Sequence, residues 1–170
     1  MTVRPILGSS CAKATSAAEM RYRIDRPIRG RRGARIVGLD AGADLIIERI
    51  AREPWGHARF FALAGPVEDL GDGGSASVTL RGVDGEKCSL LAQLDDADVV
   101  IMVATIAADA AAATVIGAAC TVRAIMTAGL VIADVARIDS TVAVMRPHAR
   151  VLMVSGDERD VVDLLTALRA

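Results

Sequence analysis

Aromatic side chains are nearly missing from this sequence of 170 residues, at 2%, although 52% of it is hydrophobic. A core must therefore be filled by Ala, Val, Ile, Leu and Met, small side chains that let helices lie close to a sheet. Cysteine is scarce as well. Cys11, Cys88 and Cys120 stand far apart with no C-x-x-C pair, which argues against a zinc site and a disulfide framework and fits a reducing cytoplasm. No Walker lysine motif, Ser-His-Asp arrangement or metal-spaced histidine pair is present. Cys11 follows Leu7-Gly8-Ser9-Ser10, but the apolar stretch before it is too short for a lipoprotein signal, and Arg31-Arg32 lies too far in for a twin-arginine signal. A clean membrane span is lacking too: residues 99–122 are largely apolar, yet Asp109 sits among them and alanine contributes little to insertion.

Net charge is only −1, but it is unevenly placed. Residues 1–35 carry nine basic groups against Glu19 and Asp25, whereas the rest of the chain is acidic. The pattern implies a basic arm over residues 1–33, loose or forming an edge strand at Met20–Ile24 where apolar residues alternate with arginine, on an acidic body over 34–170. Such an arm can fold over its own body, over a second subunit, or onto a polyanion. Self or subunit contact is the preferred reading, nucleic acid is not favoured, and no membrane partner is expected.

Within the body, strand and helix patterns alternate. Ala34–Leu39 reads as a strand, Asp40 as a cap, and Ala41–Arg52 as a helix with Leu45, Ile46, Ile47 and Ile50 on its buried stripe. Further strands are expected at Arg59–Ala64, Ser77–Arg81, from Val99, at Ile125–Ala133 and at Arg150–Val154, with a glycine-rich loop over 65–74. Helices are expected at Lys87–Leu94, Ala107–Arg123, Ser140–Arg146 and after Ser155. There Ser155 and Glu158 have capping-box spacing, and Val161, Leu164, Leu165 and Leu168 share a face. This alternation specifies an α/β fold, three-layer and Rossmann-like, with a mainly parallel sheet and helices on both faces.

In open α/β sheets ligands sit outside the carboxyl ends of the strands. The first strand-to-helix turn holds Gly38, Asp40, Gly42 and Ala43, where Gly38 and Ala43 fill the outer places of a G-x-G-x-x-G/A fingerprint and Asp40 stands at its middle glycine. A carboxylate there opposes a pyrophosphate, so an ordinary NAD site is disfavoured. Asp40 reads as a helix cap, or alternatively as a magnesium ligand or catalytic group. Thr105 ends the Val99 strand and Ala107 opens the next helix, whose free amides suit an anion. Thr114 adds a hydroxyl. Asp109 would oppose a phosphate, and reads either as a cap or as an acid, base or metal ligand. His57 lies in a loop at the opposite end, His148 in a turn with no visible partner, and Trp55 reads as cover for an apolar gap. Cys88 and Cys120 read as small core residues.

The run from Ala97 to Ile132, an Ala-Asp-led strand, a loop, a helix and another apolar strand, resembles the corresponding part of the tubulin/FtsZ-type GTPases. Where that family carries G-G-G-T-G-T-G, this chain reads Ile106-Ala107-Ala108-Asp109-Ala110-Ala111-Ala112-Ala113-Thr114, so every phosphate glycine is gone. The resemblance implies a degenerate member that does not hydrolyse GTP.

The expected function is non-hydrolytic binding of a nucleotide, dinucleotide or other small molecule, as an accessory or regulatory protein that is cytoplasmic and self-associating. Two alternatives stay open. One is a small oxidoreductase or transferase using Asp40 or Asp109 in the same crevice. The other is a scaffold whose arm docks an acidic partner or nucleic acid.

Overall fold

Strand β1 (Ala34–Gly38) is buried along its whole length, and its residues alternate between two apolar environments. In the computed structural model, residues 33–67, 76–134 and 138–168 are described. The expected basic arm and its edge strand lie outside them apart from Gly33, as does most of the 65–74 loop.

After β1 come α1 (Ala41–Ile50), β2 (Arg59–Leu63), β3 (Thr79–Gly82), β4 (Lys87–Ser89), α2 (Leu90–Leu94) and β5 (Val99–Ala104). These are followed by α3 (Ala110–Val122), β6 (Met126–Ile132), α4 (Asp139–Met145), β7 (Val151–Ser155) and α5 (Arg159–Leu168). The seven strands form one sheet in the order β4-β3-β2-β1-β5-β6-β7. Strands β2, β1, β5, β6 and β7 are parallel, and β3 and β4 add an antiparallel hairpin at one edge. The protein is thus α/β with a mostly parallel sheet.

Because side chains alternate along a strand, the sheet feeds two apolar clusters. Ile36, Phe60, Ile101, Val103 and Leu130 pack with Ile46, Ile47 and Ile50 of α1 and Val161 and Leu165 of α5. Val37, Phe61, Val100, Met102 and Val131 pack with Leu90 and Leu94 of α2, Ala112, Ala113, Ile116 and Cys120 of α3, and Met145 of α4. Alanines on α3 bring that helix close to the strands, as the shortage of aromatics requires. Among the described residues no helix is long and apolar enough to cross a membrane.

Several local expectations are corrected. Lys87–Leu94 is not one helix: Lys87–Ser89 pairs with β3, and Ser89 then caps α2 by accepting from the Leu91 amide at 3.3 Å. Leu45 is exposed, since it lies just off the stripe formed by Ala43, Ile46, Ile47 and Ile50. Ser155 does not form a capping box with Glu158. It ends β7, bonds the Asp160 carboxylate and accepts from the Asp157 amide, while Asp157 accepts from the Arg159 amide at 2.9 Å. The apolar face of α5 nevertheless holds: Val161 and Leu165 are buried, with Leu164 and Leu168 packed beside them.

Helix α3 ends in a Schellman arrangement, with Ile125 N–H donating to Cys120 O and Ala124 N–H to Thr121 O. Ala124 has φ 55°, the left-handed conformation in which glycine is usual.

Candidate functional site at the carboxyl ends of β1 and β5

The order of the parallel strands, β2-β1-β5-β6-β7, is one of the two common doubly wound arrangements. From β1 the chain proceeds through α1 to β2 on one side, and from β5 through α3 to β6 on the other. Helices α1 and α3 belong to opposite clusters. The loops after β1 and β5 therefore diverge, which is the topological switch point where such sheets bind ligands.

Asp40 closes the floor of this point. Its backbone is extended, and its Oδ1 accepts from the Ala43 amide at 2.9 Å, making it the N-cap of α1. The same oxygen accepts from the Thr105 hydroxyl at 2.6 Å, and Oδ2 accepts from the Thr105 amide at 2.6 Å. Three donors, one from the first turn of α1 and two from the residue after β5, converge on one carboxylate. Gly42 makes the approach possible: a Cβ at that position would lie 2.5 Å from Thr105 Oγ1. Leu39 N–H donates to Val103 O at 2.9 Å and Asp109 N–H to Leu39 O at 3.0 Å, tying the two loops further.

Asp109 is the N-cap of α3, its Oδ1 accepting from the Ala112 amide at 2.9 Å. Ala107 is accordingly not the first helical residue. It lies in the loop before Asp109, because the capping carboxylate sets the helix start at Ala110. Thr114 lies inside α3, where its hydroxyl donates to Ala110 O and stands 3.2 Å from His148 Nε2, so His148 has a partner that its sequence context did not show. The geometry brings Gly38, Asp40, Gly42, Ala43 and Thr105 together, with Asp109 adjacent, and sets Thr114 apart. Ile106, exposed, lies on the loop beside Thr105.

One residue escaped the sequence reading. Asp44, in the first turn of α1, has a buried Oδ1 with no hydrogen-bond partner. Burial is the main reason its pKa rises to about 6, with Asp40 and Glu48 adding to the effect and Arg81 opposing it. A cavity of about 230 Å³ beside it is lined by Glu48, Phe61, Arg81 and Val83 among others. Its only sequence signal was an acidic residue in a helix's first turn, which is ordinary.

Two larger cavities among the described residues lie away from the switch point. One of about 420 Å³ has Trp55, Phe60 and Phe61 in its walls with Arg59, Cys88 and Gln93. Trp55 donates to Ile50 O at 2.8 Å and its ring lies 6.0 Å from that of Phe60, so the indole packs locally. Another, about 760 Å³, runs past Gly117, His148 and Arg150. Gly117 admits the His148 side chain, since a Cβ there would meet His148 Cβ at 2.7 Å. His57 is exposed in the loop before β2. Cys120 is buried, which pushes its thiol up to about 11, and Cys88 is half-buried. Among the described residues no group of His, Cys, Asp and Glu could hold a metal ion.

Comparison with known proteins returns no matching family model, no matching curated protein and no matching solved structure.

Proposed function

We propose that the chain is a non-hydrolytic, small-molecule-binding accessory or regulatory protein of the cytoplasm, three-layer and Rossmann-like, with its ligand across the carboxyl ends of β1 and β5. The observation that carries this reading is the strand order, in which the loops after two neighbouring parallel strands lead to helices that belong to different apolar clusters. Engagement of both candidate carboxylates supports the non-hydrolytic part. Asp40 and Asp109 each cap a helix, and Asp40 also holds Thr105.

The caps also narrow the ligand class. A phosphate at the start of α1 or α3 would meet a carboxylate already bonded to the helix amides. The ligand is therefore held by an uncharged part, a nucleoside or a comparable polar ring system, against Gly42, Thr105, Ile106 and Ala107. Kinship with a tubulin/FtsZ-type domain that has lost its phosphate glycines accords with this chemistry and belongs to the same proposal.

The test is a thermal-shift screen of the full chain against nucleosides, nucleotides, dinucleotides and sugar phosphates, with and without magnesium, alongside Ile106→Glu. The expected result is stabilisation by nucleosides that phosphates do not improve, lost in the variant. No shift with any compound overturns the reading, and a shift that Ile106→Glu leaves intact moves the site elsewhere.

A further inference from the structure

The sheet ends in two edges of unlike character. At one end β4 is three residues long and begins with exposed Lys87. Short, charged edge strands resist pairing with another chain. At the other end β7 reads Val151-Leu152-Met153-Val154-Ser155, without a charge, and among the described residues it pairs with β6 alone. Val151 is 51% exposed, Met153 39% and Val154 40%. Leu152 alone of these residues packs inward, against the cluster that holds Met145 of α4. A five-residue apolar edge with open backbone groups is a template for a further strand.

The flanking charges select the occupant. Arg146 and Arg150 lead into β7, and Asp157 and Asp160 follow it on either side of Arg159, Glu158 there being paired with Arg49 at 2.6 Å. A second copy running antiparallel places the basic approach of each strand beside the acidic exit of the other, at both ends of the joint. Parallel pairing would set like against like. A twofold axis perpendicular to the sheet preserves which face each side chain occupies. With the axis beside Met153, that residue stands opposite its own copy and Leu152 opposite Val154 of the partner subunit, while Val151 and Met153 continue an apolar row across the joint.

We infer that β7 is a self-pairing strand, and that two copies of this chain join through it into one continuous sheet. The experiment is analytical ultracentrifugation of the full chain over a wide concentration range, beside Met153→Lys and Val151→Lys, with far-UV circular dichroism to verify folding. A dimer is expected for the native chain, and a monomer for each folded variant. Val151, the more exposed of the two, serves where the Met153 variant fails to fold. The arrangement is tested by Met153→Cys under mild oxidation. Directly opposed residues of an antiparallel pair stand about 4.5–5.5 Å apart at Cα, within disulfide reach, so the variant is expected to form a covalent dimer that the native chain does not. A native chain that stays monomeric, a lysine variant that folds and stays dimeric, or a dimeric Met153→Cys that does not cross-link overturns the inference.

Discussion

Strand β1 is tied down at both ends by a charged side chain, and the two ties are opposite in chemistry. At its start Arg35, 2% exposed, donates from Nε to Gln93 O at 3.0 Å and from Nη2 to Asp96 O at 2.5 Å, with a longer bond to Ala34 O. Just beyond its end Asp40 accepts from Ala43 and from Thr105 twice. One is a cationic fork holding backbone carbonyls of α2 and of the turn before β5, and the other an anionic cup holding donors from α1 and from the loop after β5. Both bind β1 to β5's surroundings. The difference lies in what each group can be replaced by. A guanidinium offers several fixed donors that no other side chain reproduces, whereas a carboxylate's acceptor role is partly shared by an amide.

The largest expected effect is at the start of the strand. Arg35→Ala leaves the Gln93 and Asp96 carbonyls without their donors and opens a void beneath α2, a loss of about 3 kcal/mol. Arg35→Lys should recover little, because a single ammonium cannot span both carbonyls. Urea unfolding of the two variants checks this, and a lysine variant as stable as the native chain would show that charge alone suffices. The ties are roughly 16 Å apart along the strand, so Arg35→Ala and Asp40→Ala are expected to add.

At the other end, Asp40→Ala removes the α1 cap and frees Thr105, at a cost of about 2 kcal/mol. Asp40→Asn keeps an oxygen for Ala43 N–H and the Thr105 hydroxyl but sets an NH₂ group against the Thr105 amide, so about 1 kcal/mol is lost. The graded order, native above Asn above Ala, distinguishes a cap that also clasps β5 from a simple cap. Equal stability of the native and Asn forms would mean that the bonds to Thr105 contribute nothing.

This pair of ties also shows what could be read from the residues alone. Apolar runs and caps specified the alternation of strands and helices, and Asp40 was legible as a cap because its place before an apolar stripe is local information. Its second role, holding Thr105, spans 65 positions and has no local signature. Arg35 falls within the expected first strand, but nothing local marks it as buried, and the charge count places it with the basic residues before it. Its burial depends on which strands flank β1, and that order is set by the whole sheet. The β4 strand was missed for a related reason: Lys87-Cys88-Ser89 has no alternation of its own and becomes a strand only by pairing with β3. The expected start of α3 at Ala107 is three residues early because alanine marks no boundary, and the marker is Asp109.

The smallest effect is the one that sharpens the comparison most, because it sets Asp40 beside a second carboxylate one helical turn later. Asp40 gathers three donors, while Asp44 has a buried oxygen with none, and burial raises its pKa to about 6 from 3.8. Between those two values the folded chain retains a proton that the unfolded chain has released, so Asp44's contribution to stability is full below 3.8 and is lost as pH rises through about 6. Above that pH an ionised, poorly solvated carboxylate remains. Asp44→Asn removes this penalty and is expected to exceed the native chain at neutral pH by about 1 kcal/mol after allowance for solvent screening. The advantage should shrink as the pH falls through about 6 toward 3.8. Urea midpoints of both proteins across that interval decide the matter. Curves that stay parallel would show that Asp44 is as well solvated as a surface carboxylate, whereas convergence at low pH would identify the α1 turn as holding one satisfied and one unsatisfied acid within a single turn of helix.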